Sequence, residues 1–320
     1  MPGLYPEIEA YDHGLLEVGD GNLVYWETCG NPDGKPALVL HGGPGSGCRP
    51  GMRRYFDPAA YRVVLFDQRN CGRSQPNASD PAVSLAANTT AHLLADIELL
   101  RGHLGIERWL VRGVSWGTTL ALAYAERYPE HVSELVLASV CGTYIRREVD
   151  WMTRDVRRHF PAEWARFRDG VPPAERDGRL VEAYARLLAD PDKAVREQAA
   201  RDWCAWEDTH VSPFPEGRHN PRYDDPAFRM TFARLVTHYW RNDCFLEDGV
   251  LLREAGRLAG IPGVMVHGRL DISGPLDVPW QLSQVWPDSE LVLIGDAAHT
   301  GSDAMTEAVV AATDRFAARP

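Results

Sequence analysis

The 320-residue chain has no apolar run that approaches the roughly 18 residues a membrane-spanning helix needs. It also has no excess of positive charge, because 34 Lys and Arg stand against 45 Asp and Glu, a formal net charge of −11. Nucleic acids and anionic membranes are bound mainly through basic residues. The sequence therefore predicts a protein with no nucleic-acid partner and no membrane partner.

Cysteine is scarce, and its six residues show neither C-x-x-C spacing nor a nearby histidine in the pattern of a zinc site. Residues 1–9 lack the positive segment and the apolar segment of an export signal. Free thiols are the rule in the reducing cytoplasm. We therefore expect a cytoplasmic protein that uses no metal and no other cofactor.

Short apolar runs alternate with helical patterns along much of the chain. The strand-like runs are residues 37–40, 62–66, 109–111, 135–138, 264–267 and 291–294. An Asp-Gly turn at 19–22 separates two further strand-like segments, which is typical of a hairpin. Strands that alternate with helices predict an α/β fold, with a mostly parallel sheet covered on both faces.

The strand signal disappears between residues 142 and 245, where the pattern is helical. This third of the chain holds five of the ten tryptophans: Trp151, Trp164, Trp203, Trp206 and Trp240. Two interpretations remain open, because tryptophans can pack the helices together or line a cavity that faces the sheet. The pattern predicts a helical cap domain at 142–245, inserted into a core domain of residues 1–141 and 246–320.

A candidate nucleophile lies in G-V-S-W-G, residues 113–117. This segment follows the strand-like run 109–111 and precedes an Ala-rich helical stretch at 118–128, which is the strand–turn–helix setting of a nucleophile elbow. Glycine permits the sharp turn that exposes the serine hydroxyl. The sequence therefore points to Ser115.

A serine hydroxyl needs a basic partner, and that base needs an orienting carboxylate. Asp271 follows the run 264–267, and His299 follows the run 291–294. The carboxyl ends of parallel strands meet at one edge of a sheet, so these side chains should lie near Ser115. Asp296 is a competing carboxylate, and a turn aspartate with a surface histidine is the structural alternative. We predict a Ser115, His299, Asp271 triad.

The oxyanion of an acyl-transfer intermediate needs two backbone N–H donors. One is expected from Trp116, directly after the nucleophile, and the other from the loop after an early strand. H-G-G-P-G, residues 41–45, follows the run 37–40 and supplies such a loop. We assign the second donor to Gly43, with a plain Gly/Pro turn as the alternative.

Several longer segments resemble the proline iminopeptidase (prolyl aminopeptidase) family of α/β-hydrolases almost from end to end. They include W-E-T-C-G-N-P-D-G-K-P, L-H-G-G-P-G-S-G-C, V-L-F-D-Q-R-N-C-G-R-S, G-V-S-W-G-T-T-L-A-L-A-Y-A and V-H-G-R-L-D. The resemblance implies an α/β-hydrolase fold of about eight strands under a helical cap. It also implies a metal-free serine exopeptidase that releases an N-terminal residue, with Ser115, Asp271 and His299 at the triad positions.

The resemblance further implies a substrate pocket in the cap. A W-x-x-W-E pattern places Trp206 and Glu207 there, with Glu207 holding the ammonium group of the substrate. The alternative is a helix with packed tryptophans and a solvated glutamate. Two departures from the family are expected to alter this pocket: Val236 stands where a second acidic residue is usual, and Ala138 where arginine is frequent.

These departures keep more than one function open. The first expectation is hydrolysis of peptides or amino-acid amides that carry a free N-terminus. The second is hydrolysis of another ester or amide, and the third is a ligand-binding protein on a hydrolase scaffold. The expected partner is a small peptide or an amino-acid amide or ester. The sequence predicts no oligomeric state.

Overall fold

The computed structural model describes residues 3–212 and 219–318. Its strands form one eight-stranded sheet of order β1-β2-β4-β3-β5-β6-β7-β8. The strands are β1 (Ala10–Glu17), β2 (Leu23–Gly30), β3 (Lys35–Leu40), β4 (Tyr61–Phe66), β5 (Trp109–Val114), β6 (Val132–Ala138), β7 (Gly263–Gly268) and β8 (Ser289–Ile294). The pair β1–β2 and the pair β2–β4 are antiparallel, and every other pair is parallel. The α/β fold with a mostly parallel sheet is therefore confirmed.

Helices cover both faces of the sheet. They are α1 (Thr90–His103), α2 (Trp116–Arg127), α3 (Ile145–Thr153), α4 (Pro161–Asp169), α5 (Leu180–Leu187), α6 (Lys193–Val211), α7 (Pro226–Arg241), α8 (Val250–Arg253), α9 (Asp277–Val285) and α10 (Asp303–Ala317). Leu38 and Leu40 of β3 pack into the core that α1 and α2 share, whereas Val39 packs into the core under α10. This alternation follows from the two-residue period of a strand. Within the described ranges, no helix has both the length and the apolar character required to cross a membrane.

Between β6 and β7 the chain forms α3 to α7 and then the short α8, and we call the five helices α3 to α7 the cap helices. The cap predicted at 142–245 covers them, although residues 213–218 lie outside the described residues. Its boundaries remain a prediction. Trp240 lines a cavity that faces the sheet, whereas Trp203 and Trp206 pack against Phe167 inside the cap. Both interpretations of the tryptophans therefore hold, each for different residues.

The topology brings three loops together. The strands β5, β7 and β8 run parallel, so the loops that follow them lie at the same edge of the sheet. These loops carry Ser115, Asp271 and His299 respectively. The cap helices lie over this edge, and the cavity between cap and sheet contains the candidate site.

Candidate active site

Ser115 occupies a strained turn between β5 and α2. Its φ of 53° and ψ of −127° lie in a region that non-glycine residues rarely adopt. Its N–H donates to the carbonyl of Ala138 at 3.0 Å, which holds the turn to β6. A methyl group at Gly117 would overlap the carbonyl of Leu40, so only glycine lets α2 approach β3 this closely. The turn thereby presents the serine hydroxyl to the cavity.

The three side chains predicted as a triad form one chain of hydrogen bonds. His299 Nε2 lies 2.9 Å from Ser115 Oγ, and His299 Nδ1 lies 2.8 Å from Asp271 Oδ2. The competing Asp296 is instead an exposed partner of Ser302, whose hydroxyl donates to it at 3.3 Å. The arrangement pairs a hydroxyl with a base and that base with a carboxylate.

Asp271 is buried, and each of its carboxylate oxygens has a polar neighbour. Its Oδ1 accepts the N–H of Gly274 at 2.8 Å, and its Oδ2 lies 3.7 Å from His267 Nε2. Since His267 Nδ1 accepts the N–H of Val140, its Nε2 carries the proton and donates to the carbonyl of Gly274. Burial alone would raise the pKa of Asp271, but His299, His267 and the Gly274 N–H together hold it below its ordinary value. Asp271 is therefore a carboxylate at neutral pH.

The pKa of His299 is raised above its ordinary value of 6.5. Burial acts in the opposite direction, but the charge and hydrogen bond of Asp271, together with the charge of Glu207, outweigh it. His299 therefore gains a proton more readily than a free imidazole does. This property suits a base that must take a proton from Ser115 and hold it briefly.

Two backbone donors face the same cavity. The N–H groups of Gly43 and Trp116 have no acceptor among the described residues, and both residues line the cavity beside Ser115. Gly43 has a φ of 114°, and a Cβ there would lie 2.6 Å from the nitrogen of Gly45. Only glycine fits this turn, and the two N–H groups can serve a developing oxyanion.

Gln68, which was not identified from the sequence, connects the loop that carries Gly43 with the turn that carries Trp116. Its backbone N–H donates to His41 Nε2 and its side-chain amide donates to the His41 carbonyl, each at 3.1 Å. Its Oε1 accepts the indole N–H of Trp116 at 2.9 Å. The signal that could have found it is its place in the D-Q-R motif directly after β4.

The cavity has a volume of about 240 Å³. Its cap side includes Glu148, Met152, Glu207, His210, Phe232 and Trp240. Glu207, on α6, is only 5% exposed, and no arginine or lysine of the described chain forms an ion pair with it. Burial, with a smaller contribution from Asp208, raises the pKa of Glu207 to about 8 although His299 opposes this shift. A cation bound in the cavity would lie near a carboxyl group that has no arginine or lysine partner.

The other residues predicted to bind substrate do not line the cavity. Val236, on α7, is fully buried in the core. Ala138 is buried at the end of β6, where its carbonyl holds Ser115. Trp206 stacks on Phe167 with ring centroids 5.3 Å apart and donates its indole N–H to a backbone carbonyl.

Glu148 and two arginines line the cavity without having been identified from the sequence. Glu148 accepts the N–H groups of Gly142 and Tyr144 at 2.7 and 3.0 Å, which fixes the start of the first cap helix. Arg49 and Arg222 line the cavity as well, and neither forms an ion pair within the described chain. No group of three or more His, Cys, Asp or Glu in the described ranges is arranged to hold a metal ion.

Comparison with known proteins agrees with this architecture. The family model described as alpha/beta hydrolase fold matches residues 35–303. A solved proline iminopeptidase-related protein of Thermus thermophilus is 23% identical, with a TM-score of 0.62 over 96% of this chain and 97% of the other. At that identity the likeness supports the fold alone.

Two relatives in sequence are much more similar. A probable proline iminopeptidase of Streptomyces coelicolor is 58% identical over 318 residues, which cover 98% of each chain. A proline iminopeptidase of Xylella fastidiosa is 46% identical over 320 residues, 99% of this chain and all of the other. With a matching fold, near-complete coverage and this level of identity, the chain belongs to the proline iminopeptidase family of alpha/beta hydrolases.

Proposed function

We propose that this protein is a serine hydrolase that releases the N-terminal residue from small peptides or amino-acid amides. The observation that carries the proposal is Glu207, a buried carboxyl group without a positive partner in the same cavity as Ser115 and His299. A charged amine loses its hydration when it is enclosed, and this is costly unless a carboxylate replaces the water. The names of the relatives make proline the first N-terminal residue to test.

In the proposed reaction, Ser115 Oγ attacks the carbonyl carbon of the first residue while His299 Nε2 takes the hydroxyl proton. The N–H groups of Gly43 and Trp116 donate to the oxyanion, and Asp271 stabilises the positive imidazole. His299 then gives the proton to the departing amine, and the peptide bond breaks. Water attacks the resulting acyl-enzyme with His299 as base, so that the free amino acid leaves and Ser115 is restored.

The substrate is proposed to enter between the core domain (1–141 and 246–320) and the cap domain (142–245). We also propose the cytoplasm as its compartment, because all six cysteines are free thiols although several lie in the core. Disulfides are favoured outside the reducing cytoplasm and are rare inside it.

The test compares reactions with and without a substrate amine. Prolyl and alanyl arylamides report on amine recognition, whereas labelling of Ser115 by a fluorophosphonate reports on the triad alone. Glu207→Gln should lower kcat/KM for the arylamides by a factor equivalent to about 2–4 kcal/mol, the scale for a buried charge that loses its partner, and leave the labelling rate unchanged. Glu197→Gln is the matched control, because Glu197 is another glutamate of α6 and does not line the cavity.

Equal losses in both assays would make Glu207 structural. The protein would then be a hydrolase of another ester or amide, the alternative that the departures at Val236 and Ala138 keep open. Failure of the fluorophosphonate to label the wild-type protein would contradict serine catalysis itself.

A further inference from the structure

His210 lies one turn after Glu207 on α6 and lines the same cavity. It is 1% exposed. Its Nδ1 lies 2.7 Å from the hydroxyl oxygen of Ser273, and the same oxygen lies 2.9 Å from the carbonyl oxygen of His210. The imidazole ring is therefore held in place by a core residue on the loop after β7.

These contacts determine which ring nitrogen carries the proton. A carbonyl oxygen only accepts, so the single hydroxyl proton of Ser273 must be donated to the carbonyl of His210. The Ser273 oxygen then accepts a hydrogen bond from His210 Nδ1–H. His210 Nε2 consequently presents a lone pair, and it has no hydrogen-bond partner within the described part of the chain.

A buried acceptor without a partner is unusual and costs free energy. His210 Nε2 lies 3.7 Å from Oε2 of Glu207. This distance is too long for a direct hydrogen bond, but the two acceptors lie close enough together for one group with two N–H donors to reach both.

Burial keeps the ring of His210 neutral. Burial lowers the pKa of His210 to about 3, and the charge of His299 acts in the same direction against a weaker opposing effect of Asp271. A neutral imidazole accepts at Nε2, whereas a protonated one would donate there and repel a cation. Glu207 and His210 together therefore offer one carboxyl group and one neutral acceptor.

We propose that His210 is a specificity-determining residue whose Nε2 accepts a hydrogen bond from the substrate amine beside Glu207. The inference rests on the proposed function. It places both contacts to the substrate amine on α6, at Glu207 and at His210. Val236 of α7 is buried and offers no polar group. The ring nitrogen of an N-terminal proline has two N–H donors when protonated, one for each acceptor. Glu207 and His210 therefore match substrates whose N-terminal amine is a secondary ammonium group.

The experiment measures binding of prolinamide to the Ser115→Ala protein by calorimetry. His210→Phe keeps a ring of similar shape but has no acceptor, and His210→Gln keeps an acceptor oxygen near the Nε2 position. His210→Phe should weaken binding about ten- to a hundredfold, the range for a hydrogen bond to a charged group. His210→Gln should stay within about threefold of the parent. In proteins with Ser115 intact, the fluorophosphonate labelling rate should be the same for both variants.

The outcomes separate the possible roles. Equal weakening in His210→Phe and His210→Gln, or slower labelling of Ser115 in both, would overturn the inference. His210 would then be structural, through Ser273 or through Trp206, whose ring centroid lies 5.4 Å from that of His210. Unchanged prolinamide binding in His210→Phe would also overturn it, while the proposed function would stand. If neither prolinamide nor alaninamide binds to the Ser115→Ala parent, the proposed function fails and the inference fails with it. Binding of alaninamide alone would overturn only the inference.

A second measurement does not depend on the His210→Phe variant. In the Ser115→Ala protein with 15N-labelled histidine, prolinamide should shift the unprotonated ring nitrogen of His210 in the direction of hydrogen bonding. The resonance is assigned by its loss in His210→Gln. Absence of any shift at a saturating prolinamide concentration would overturn the inference even if the Phe variant does not fold.

Discussion

The indole N–H of Trp116 donates to Oε1 of Gln68 across 2.9 Å, and Gln68 in turn holds His41 through two further hydrogen bonds. His41 precedes the loop that carries Gly43, and Trp116 directly follows Ser115. One buried amide therefore fixes the relative position of the two N–H groups proposed to bind the oxyanion. The rigid arrangement of such donors is usually the largest single contribution to acyl-transfer catalysis.

A double-mutant cycle tests this connection. Gln68→Leu and Trp116→Phe should each lower kcat for a prolyl arylamide by about tenfold with little change in KM, because both misplace the oxyanion donors. The double variant should be only slightly slower than either single one, since both changes break the same hydrogen bond. Additive losses would show that Gln68 and Trp116 act independently.

Ser115 should be the single site of covalent modification by a fluorophosphonate. Intact-mass measurement should show one adduct, and peptide mapping should place it on Ser115. Ser115→Ala should abolish labelling and lower turnover by several powers of ten. An adduct elsewhere, or undiminished turnover of the variant, would contradict the proposed triad.

The rate of fluorophosphonate labelling should rise with pH and level off at high pH. His299 must be neutral to accept the serine proton, and its pKa lies above the ordinary 6.5, so the midpoint of the rise should lie above pH 6.5. A midpoint below pH 6.5 would contradict a raised pKa of His299.

Binding of a cationic amine should release protons at pH 7. Glu207 has a pKa of about 8 and is mostly protonated at neutral pH, whereas an ammonium group beside it favours the ionised form. Calorimetry of prolinamide binding to Ser115→Ala, in two buffers of different ionisation enthalpy, counts the released protons. Glu207→Gln should lower this count, and an equal count would assign the release to another group, such as His299.

Val236→Glu should destabilise the protein. Val236 is fully buried and does not line the cavity, so a new carboxyl group there would be enclosed in apolar surroundings. The unfolding temperature should fall by on the order of 10 °C, and by more at pH 9 than at pH 6, because burial penalises the charged form. Val236→Gln, of equal size but uncharged, is the control. A normal unfolding temperature together with stronger proline selectivity would show that position 236 does reach the substrate.

Much of the framework could be predicted from local patterns along the chain. The alternation of apolar runs and helical stretches predicted the parallel sheet, since a strand buried on both faces must be apolar throughout. The motif around Ser115 and the loops with Asp271 and His299 could then be placed at one edge, because parallel strands end on the same side. These inferences need only the period of the secondary structure and the direction of the strands.

The tertiary structure decided which neighbouring side chains reach the site. Sequence patterns left Asp271 and Asp296 in competition, and the structure places only Asp271 against His299. They also could not show that His210 lines the cavity whereas Val236 does not. The direction of a side chain on α6 or α7 depends on how each helix rotates and packs over the sheet, and that packing is set by contacts between residues far apart in the chain.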